Sequence, residues 1–418
     1  MTTARASVFP AEVWILIGEH STSGTLLELC RLNQFYHSLL KSSLYRLAAK
    51  TSLEWKCTCE GDPCIHRCIC KSNNPVLWAI ENGQHATLTA LFQYGIEPNT
   101  KLAHNCQMSP WSLFSYAVNM GHINVVRCFL DAGANVHDQN ESNPWWNGQF
   151  SLSVLKYAAA QDKSVKEIVQ LLLERGADAK PSKDVAVAPP LSWAAGNFDY
   201  PEIVAVAELM VQYGADINYC DTFGLTALLT AASHDVMPMV EYLLKNGANP
   251  HLGRTMARGH NALYWAVKNE NLEMVKMLLQ YGASPNSYDN VHRPNRPMET
   301  PIHAMLRRAK NRRAKEKEHI IDLDMLKVLL EYGFDASVRD QRKGTIVHYV
   351  FRDPNIWDLD DDMVKTIIEN VDLKDFDEVN KDGITGLQDA EMLGNKEFLE
   401  CIKERMAQAS TSGAIETN

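Results

Sequence analysis

Two short patterns of apolar and polar residues recur along most of the chain, always in the same order. The first carries a capping or proline residue, then apolar residues, an aromatic residue and small alanines, as in residues 74–80 and 261–267. The second is a set of apolar residues spaced three and four apart that ends in glycine, as in residues 168–178. Apolar residues at this spacing share one face of a helix. The pattern therefore predicts a mainly helical chain built from repeated helix pairs.

Both segments carry the residues that begin and end helices. Thr300 and Pro301 show the start most clearly, because threonine caps a helix and proline suits its first turn. A glycine after the second segment is expected to take the left-handed conformation that ends a helix. These glycines are Gly95, Gly133, Gly176, Gly214, Gly247, Gly282 and Gly333.

The spacing of these glycines is that of a repeat protein. The shortest distance is 33 residues, from Gly214 to Gly247, and the longest is 51 residues, from Gly282 to Gly333. The chain thus resembles the ankyrin-repeat family, whose period is about 33 residues. The resemblance implies a solenoid of helix-turn-helix units over residues 74–407, of about nine units with degenerate last ones, that binds other proteins.

Several segments depart from the repeat. Residues 140–150 lengthen one turn and contain Trp145 and Trp146, which are expected either to anchor a partner or to fold back over the repeats. Residues 307–324 insert a charged stretch between two helices, and its basic run favours a solvated, extended helix. Residues 408–418 are rich in serine, threonine and glycine and are expected to form a disordered tail.

Aromatic residues share one position of the first segment. Because ankyrin repeats usually have leucine there, facing the next repeat, we interpret these residues as core rather than as a ligand-binding ladder. They are Trp78, Tyr116, Tyr157, Trp193, Trp265 and Tyr349.

Residues 7–50 do not fit the repeat, and their leucine spacing predicts a small helical bundle. An apolar-Pro-x-Glu-Val opening, a Leu-Leu-x-Leu core and a closing Leu-Tyr make this segment resemble an F-box. The resemblance implies docking on the Skp linker subunit of a cullin–RING ubiquitin ligase. The alternative is a helical cap that shields the first repeat from water. The residues expected to form the apolar docking face are Pro10, Val13, Ile17, Leu26, Leu29 and Leu40.

A cysteine-rich linker, residues 51–73, joins this segment to the first repeat. Thiolates and imidazoles bind zinc tetrahedrally, so one structural zinc ion is possible here. The spacing matches no standard finger, and six candidates for four places leave the ligand set open. A plain cysteine-rich loop is the alternative. The candidate ligands are Cys57, Cys59, Cys64, His66, Cys68 and Cys70.

Composition narrows the function further. The 418 residues are 45% hydrophobic and 22% charged, which is typical of a folded protein, and the net charge of −10 argues against direct nucleic-acid binding. No stretch approaches the ~20 apolar residues of a membrane helix. Ten cysteines without a secretion signal favour the cytoplasm or nucleus.

No catalytic motif is evident in the sequence, so we expect a protein-binding chain without enzyme activity or an obligatory cofactor. One hypothesis is a substrate-recognition adaptor that joins the Skp linker to an unknown substrate, an organisation that resembles fungal F-box/ankyrin proteins. The alternative is an ankyrin scaffold or regulatory protein with a degenerate F-box and no ubiquitin role. An enzyme that uses the cysteine cluster as a zinc site is a weaker third hypothesis, since no general base is evident nearby.

Overall fold

A computed structural model provides the coordinates. The residues that it describes are 45–46, 49–50, 75–101, 112–140, 152–159, 165–180, 189–196, 202–221, 224–253, 260–287, 300–311, 319–339, 344–351, 361–394 and 396–413.

The described part of the chain is mainly helical, and its helices follow one another in nine pairs. The first four pairs are α1 (Pro75–Glu81) and α2 (His85–Gln93), α3 (Leu113–Met120) and α4 (Ile123–Asp131), α5 (Val154–Ala159) and α6 (Val165–Glu174), and α7 (Pro190–Ala195) and α8 (Ile203–Gln212). The next three are α9 (Ala227–Ser233) and α10 (Met237–Lys245), α11 (Ala262–Lys268) and α12 (Leu272–Gln280), and α13 (Pro301–Asn311) and α14 (His319–Glu331). The last two are α15 (Ile346–Phe351) and α16 (Asp361–Asn370), then, after the short α17 (Lys374–Asp377), α18 (Gly386–Leu393) and α19 (Lys396–Gly413). None of the described helices is both long and apolar enough to cross a lipid bilayer.

The chain divides into two compact units, and each is a two-layered stack of helices. The first unit comprises Met1–Pro190 and Asp199–Ala215, and the second comprises Leu191–Phe198 and Asp216–Asn418. In the first unit, α1, α3 and α5 pack in succession in one layer, and α2, α4, α6 and α8 form the other. In the second unit, the layers are α9, α11, α13, α15 and α18, and α10, α12, α14, α16 and α19. The helix-turn-helix stacking that the sequence predicts is therefore present in both units.

The apolar core of the first unit lies between its two layers. Phe129 of α4 is fully buried and meets Phe92 of α2 edge-on, with ring centroids 4.9 Å apart. The ring of Phe114, on α3 in the other layer, lies 6.0 Å from Phe129. These contacts arise because apolar residues at helical spacing give each helix one buried face.

Glycine ends seven of the nine described second helices in the same way. Gly282 has a φ of 89°, and its N–H donates to the carbonyl of Leu279 over 2.9 Å. The following N–H, of Ala283, donates to the carbonyl of Leu278 over 2.9 Å, which completes a Schellman motif. The prediction of positive φ is confirmed at Gly176, Gly214, Gly247 and Gly282, and the same conformation occurs at Gly95, Gly133 and Gly333.

Several first helices begin at a capping side chain. The Oγ1 of Thr226 accepts a hydrogen bond from the N–H of Leu229 over 3.1 Å at the start of α9. Ser112, Asn261 and Thr385 cap α3, α11 and α18 in the same way. These side chains satisfy N–H groups that have no partner within the helix.

The departures from the repeat take defined forms where the structure describes them. Strands β1 (Gln139–Asn140) and β2 (Leu152–Ser153) pair antiparallel on either side of the lengthened turn. The charged insertion contributes residues to two helices, which are α13 with 11 residues and α14 with 13. At the other end of the chain, α19 continues to Gly413. The helix therefore extends into the segment 408–418 that the sequence predicts as a disordered tail.

Candidate protein-interaction surface

The helix α1 has one position that points away from its buried side. Val76, Leu77, Ala79 and Ile80 are all buried, whereas Trp78 is 46% exposed. Successive residues of a helix are about 100° apart, since there are 3.6 residues per turn. The four buried residues therefore share one side of α1, and Trp78 projects from the opposite side.

The other aromatic residues at this position differ in how far they are exposed. Trp193 of α7 is 41% exposed, whereas Tyr116 of α3 is only 6% exposed. The core interpretation is therefore wrong for Trp78 and Trp193, and it is confirmed for Tyr116. Tyr157, Trp265 and Tyr349 are half-buried. We call this position, together with the residue three places later, the first-helix face.

In the first unit, the first-helix face holds a carboxylate next to an exposed indole. The hydroxyl of Tyr116 donates a hydrogen bond to the carboxylate of Glu81 on the neighbouring helix. Burial raises the pKa of Tyr116 well above its usual range, and the hydrogen bond and charge of Glu81 raise it further. Tyr116 is therefore a neutral donor that holds Glu81 in place, one helical turn after Trp78.

In the second unit, the same face holds an ammonium group against an indole. The Nζ of Lys268 lies 4.1 Å from the ring centroid of Trp265, which is a cation–π contact. The ring of His260 stacks on the neighbouring Tyr264, with centroids 3.6 Å apart and planes 3° from parallel. The ring of His260 also meets Trp265 edge-on at 6.3 Å. The indole of Trp265 is thus held by neighbours of this chain on two sides.

Charge is sparse on five of the first helices, which are α1, α3, α7, α9 and α11. Among the residues of α1 and α3, Glu81 is the one charged side chain, and among those of α7, α9 and α11 it is Lys268. The remaining residues of these helices are apolar, aromatic, small or neutral polar. A surface of this kind is suited to aromatic contacts, because tryptophan and tyrosine are enriched at protein interfaces.

The described side chains offer little for catalysis or metal binding. No group of three or more histidine, cysteine or acidic residues is placed to hold a metal ion within the described part of the chain. Burial raises the pKa of the Cys128, Cys220 and Cys401 thiols, which keeps them protonated. Protonated thiols are poor nucleophiles.

The other sites that the sequence predicts lie outside the described residues. They are the docking residues Pro10, Val13, Ile17, Leu26, Leu29 and Leu40, the loop residues Trp145 and Trp146, and the candidate zinc ligands Cys57, Cys59, Cys64, His66, Cys68 and Cys70. These sites remain predictions.

The end of the N-terminal segment contacts the first repeat. The ring of Tyr45 stacks on Tyr94, at the end of α2, with centroids 6.1 Å apart and planes 9° from parallel. Ala49 is buried. This contact lies on a second helix and not on the first-helix face.

Comparison with known proteins supports the repeat. The sequence model of the ankyrin-repeat family, which describes three copies, matches residues 76–183 and 191–289. Ankyrin repeat protein nuc-2 of Neurospora crassa is 39% identical over 95 residues, which are 22% of this chain and 8% of that protein. The crystal structure of the human ASB11 ankyrin repeat domain aligns with a TM-score of 0.47 and 19% identity, and the alignment covers 61% of this chain and 97% of that domain. The match of the family model confirms the ankyrin repeats predicted from the sequence.

Proposed function

We propose that the first-helix face of each unit binds partner proteins, because the chain carries ankyrin repeats, which are a protein–protein interaction module. The observation that carries this proposal is the exposure of two tryptophans at one register position, 46% for Trp78 and 41% for Trp193. Tryptophan is enriched among the residues that dominate binding energy at protein interfaces. The chain then contributes affinity and positioning, and any chemistry belongs to its partners.

Affinity purification of the full chain tests this surface. We expect Trp78→Ala and Trp193→Ala, separately and together, to lose proteins that the wild type recovers. Tyr213→Ala is the matched control, since Tyr213 is 45% exposed but follows a second helix. Equal recovery from the wild type and the double tryptophan variant would place binding on another surface.

We also propose that the chain is a substrate-recognition adaptor of a cullin–RING ligase, with residues 7–50 docking on the Skp linker. The support is the F-box-like pattern around Pro10 and Leu26. The stacking of Tyr45 on Tyr94 adds a means of holding this segment at a fixed position on the repeats. An adaptor needs such coupling, because it must present a bound substrate at a defined place.

Co-purification distinguishes the adaptor hypothesis from the scaffold hypothesis. The double substitution of Pro10→Ala and Leu26→Ala should remove the Skp linker but leave the proteins held by the first-helix face. Recovery of the linker by neither chain, or equally by both, would favour the scaffold. Loss of every repeat partner in the variant would show that the segment is a structural cap.

A further inference from the structure

We propose that the part of the first-helix face formed by α1 and α3 binds a basic side chain, lysine or arginine, of a partner protein. This inference rests on the proposed function, because it names the chemistry that the same surface selects. Its basis is the negative charge of Glu81, three residues after the exposed indole of Trp78 on the same helix.

Trp78 and Glu81 are placed to act on one ligand group. Residues three apart are neighbours on the surface of a helix. An indole face attracts a cation through its quadrupole, and a carboxylate attracts it by charge and hydrogen bonding. Both groups repel an anion, and the described parts of α1 and α3 carry no basic residue to offset them. The pair therefore selects lysine or arginine over acidic or neutral residues.

Glu81 is held in place before any ligand arrives. The hydroxyl of Tyr116 donates to its carboxylate, and Nε2 of His122 lies 2.9 Å from its backbone carbonyl oxygen. A carboxylate has about four acceptor sites, so the bond from Tyr116 leaves room for a cationic donor. Because the carboxylate is already held by Tyr116, binding costs less side-chain entropy. Tyr116 is thus a positioning residue for the cation.

The second unit contains an internal example of the same recognition. Three residues after Trp265 stands Lys268, whose ammonium lies 4.1 Å from the ring centroid. At the same register position after Trp78, the chain has Glu81 instead. Where the second unit supplies its own cation to the indole, the first unit supplies a carboxylate. In the first unit the cation comes from the partner.

Selection from a library of random short peptides displayed on phage tests this inference on the full chain. Peptides selected by the wild type should be enriched in lysine and arginine. The enrichment should disappear with Glu81→Gln and turn toward aspartate and glutamate with Glu81→Lys. Lys268→Gln is the matched control, since it changes the equivalent position of the second unit and should leave the basic enrichment intact. Thermal unfolding of each variant checks that the repeats remain folded.

Synthetic peptides then measure the effect. We expect a selected peptide to bind Glu81→Gln about fivefold more weakly, as for a partly exposed ion pair. The same peptide with norleucine in place of its lysine should bind both chains equally. Tyr116→Phe should lower the preference for lysine over norleucine and leave the norleucine peptide unaffected, which a merely structural role would not do.

The outcomes separate this inference from the proposed function. Peptides that depend on Trp78 but show no enrichment in lysine and arginine would overturn the charge preference. They would still support the first-helix face as the binding surface. Peptides whose binding survives both Trp78→Ala and Trp193→Ala would place the surface elsewhere. A library from which the wild type selects nothing above background would overturn the basic-peptide inference as well.

Discussion

The ends of the second helices and the faces of the first helices recur with the same period, yet they behave differently. Glycine with positive φ stands at the ends of seven second helices, from Gly95 to Gly333. The face position carries tryptophan or tyrosine in most repeats, but it is Thr230 in α9, Ala304 in α13 and Asp389 in α18. The helix ends are constrained by backbone conformation, whereas the face is free to vary. Stability is therefore expected to depend on the ends, and binding on the face.

Outside the apolar core, the largest effect on stability is expected at a helix end. Gly282→Val should lower the free energy of unfolding by about 1–2 kcal/mol, because a β-branched residue resists positive φ. Apart from the glycine itself and its chain neighbours, no heavy atom lies within 4 Å of a Cβ at this position, so the cost comes mainly from the backbone. Urea unfolding followed by circular dichroism measures it. Gly282→Asn is the control, since asparagine tolerates this conformation. Equal stability of the wild type and both variants would contradict the argument that positive φ at position 282 excludes valine.

A smaller loss is expected at the start of a first helix. Thr226→Ala removes the side chain that caps α9 and should cost about 1 kcal/mol. Thr226→Ser retains the hydroxyl and should recover most of that loss. The helix α7 begins at Pro190, after another proline, so a capping hydroxyl is not required of every repeat. A loss as large in Thr226→Ser would assign the effect to packing of the methyl group instead.

A still smaller effect is expected in α17, which lies outside the repeated pattern. Asp375 is 1% exposed, and burial together with the charge of Asp372 raises the pKa of its carboxyl. A raised pKa means that the fold favours the protonated carboxyl. Its contribution to stability is present below the unfolded pKa of about 3.9 and is lost as the pH rises through the folded pKa.

Asp375→Asn should therefore raise the unfolding midpoint at neutral pH, and the gain should shrink as the pH is lowered toward 4. Asp372→Asn is the opposing control. The pKa of Asp372 is lowered by its hydrogen bond with the Lys374 side chain, so its contribution is present above the unfolded pKa. A gain in Asp375→Asn that does not change with pH would remove desolvation as the cause.

Local signals account for what could be predicted from the sequence. A glycine after an apolar helical segment, or a threonine before one, determines a helix end within a few residues, and these predictions hold at Gly282 and Thr226. The extent of α19 escaped prediction, because serine, threonine and glycine in residues 408–413 favour a turn in isolation but continue a helix that is already formed.

The prediction of the face failed for a geometric reason. The core interpretation of Trp78 and Trp193 rests on the leucine that ankyrin repeats usually have at this position, and not on the angle of each residue around its helix. Both tryptophans are exposed. The sequence contains this angle, since the residues that flank each tryptophan, apolar except for Ser192, fill the buried side. The pairing of Tyr116 with Glu81 depends on which helices are neighbours, and no local pattern contains that information.

The smallest effect on stability and the largest on binding are expected on the face itself. Trp193→Ala should change the free energy of unfolding by about 0.5 kcal/mol, because much of the indole is already in contact with water. Phe129→Ala sets the scale for an aromatic residue in the core. Its ring is fully buried, and its removal should cost about 3–5 kcal/mol. Urea unfolding measures both, and affinity purification in parallel should show partner loss in Trp193→Ala. If Trp193→Ala destabilised the chain nearly as much as Phe129→Ala, Trp193 would be part of the packing that holds the repeats together. The loss of partners would then reflect unfolding and not a lost contact.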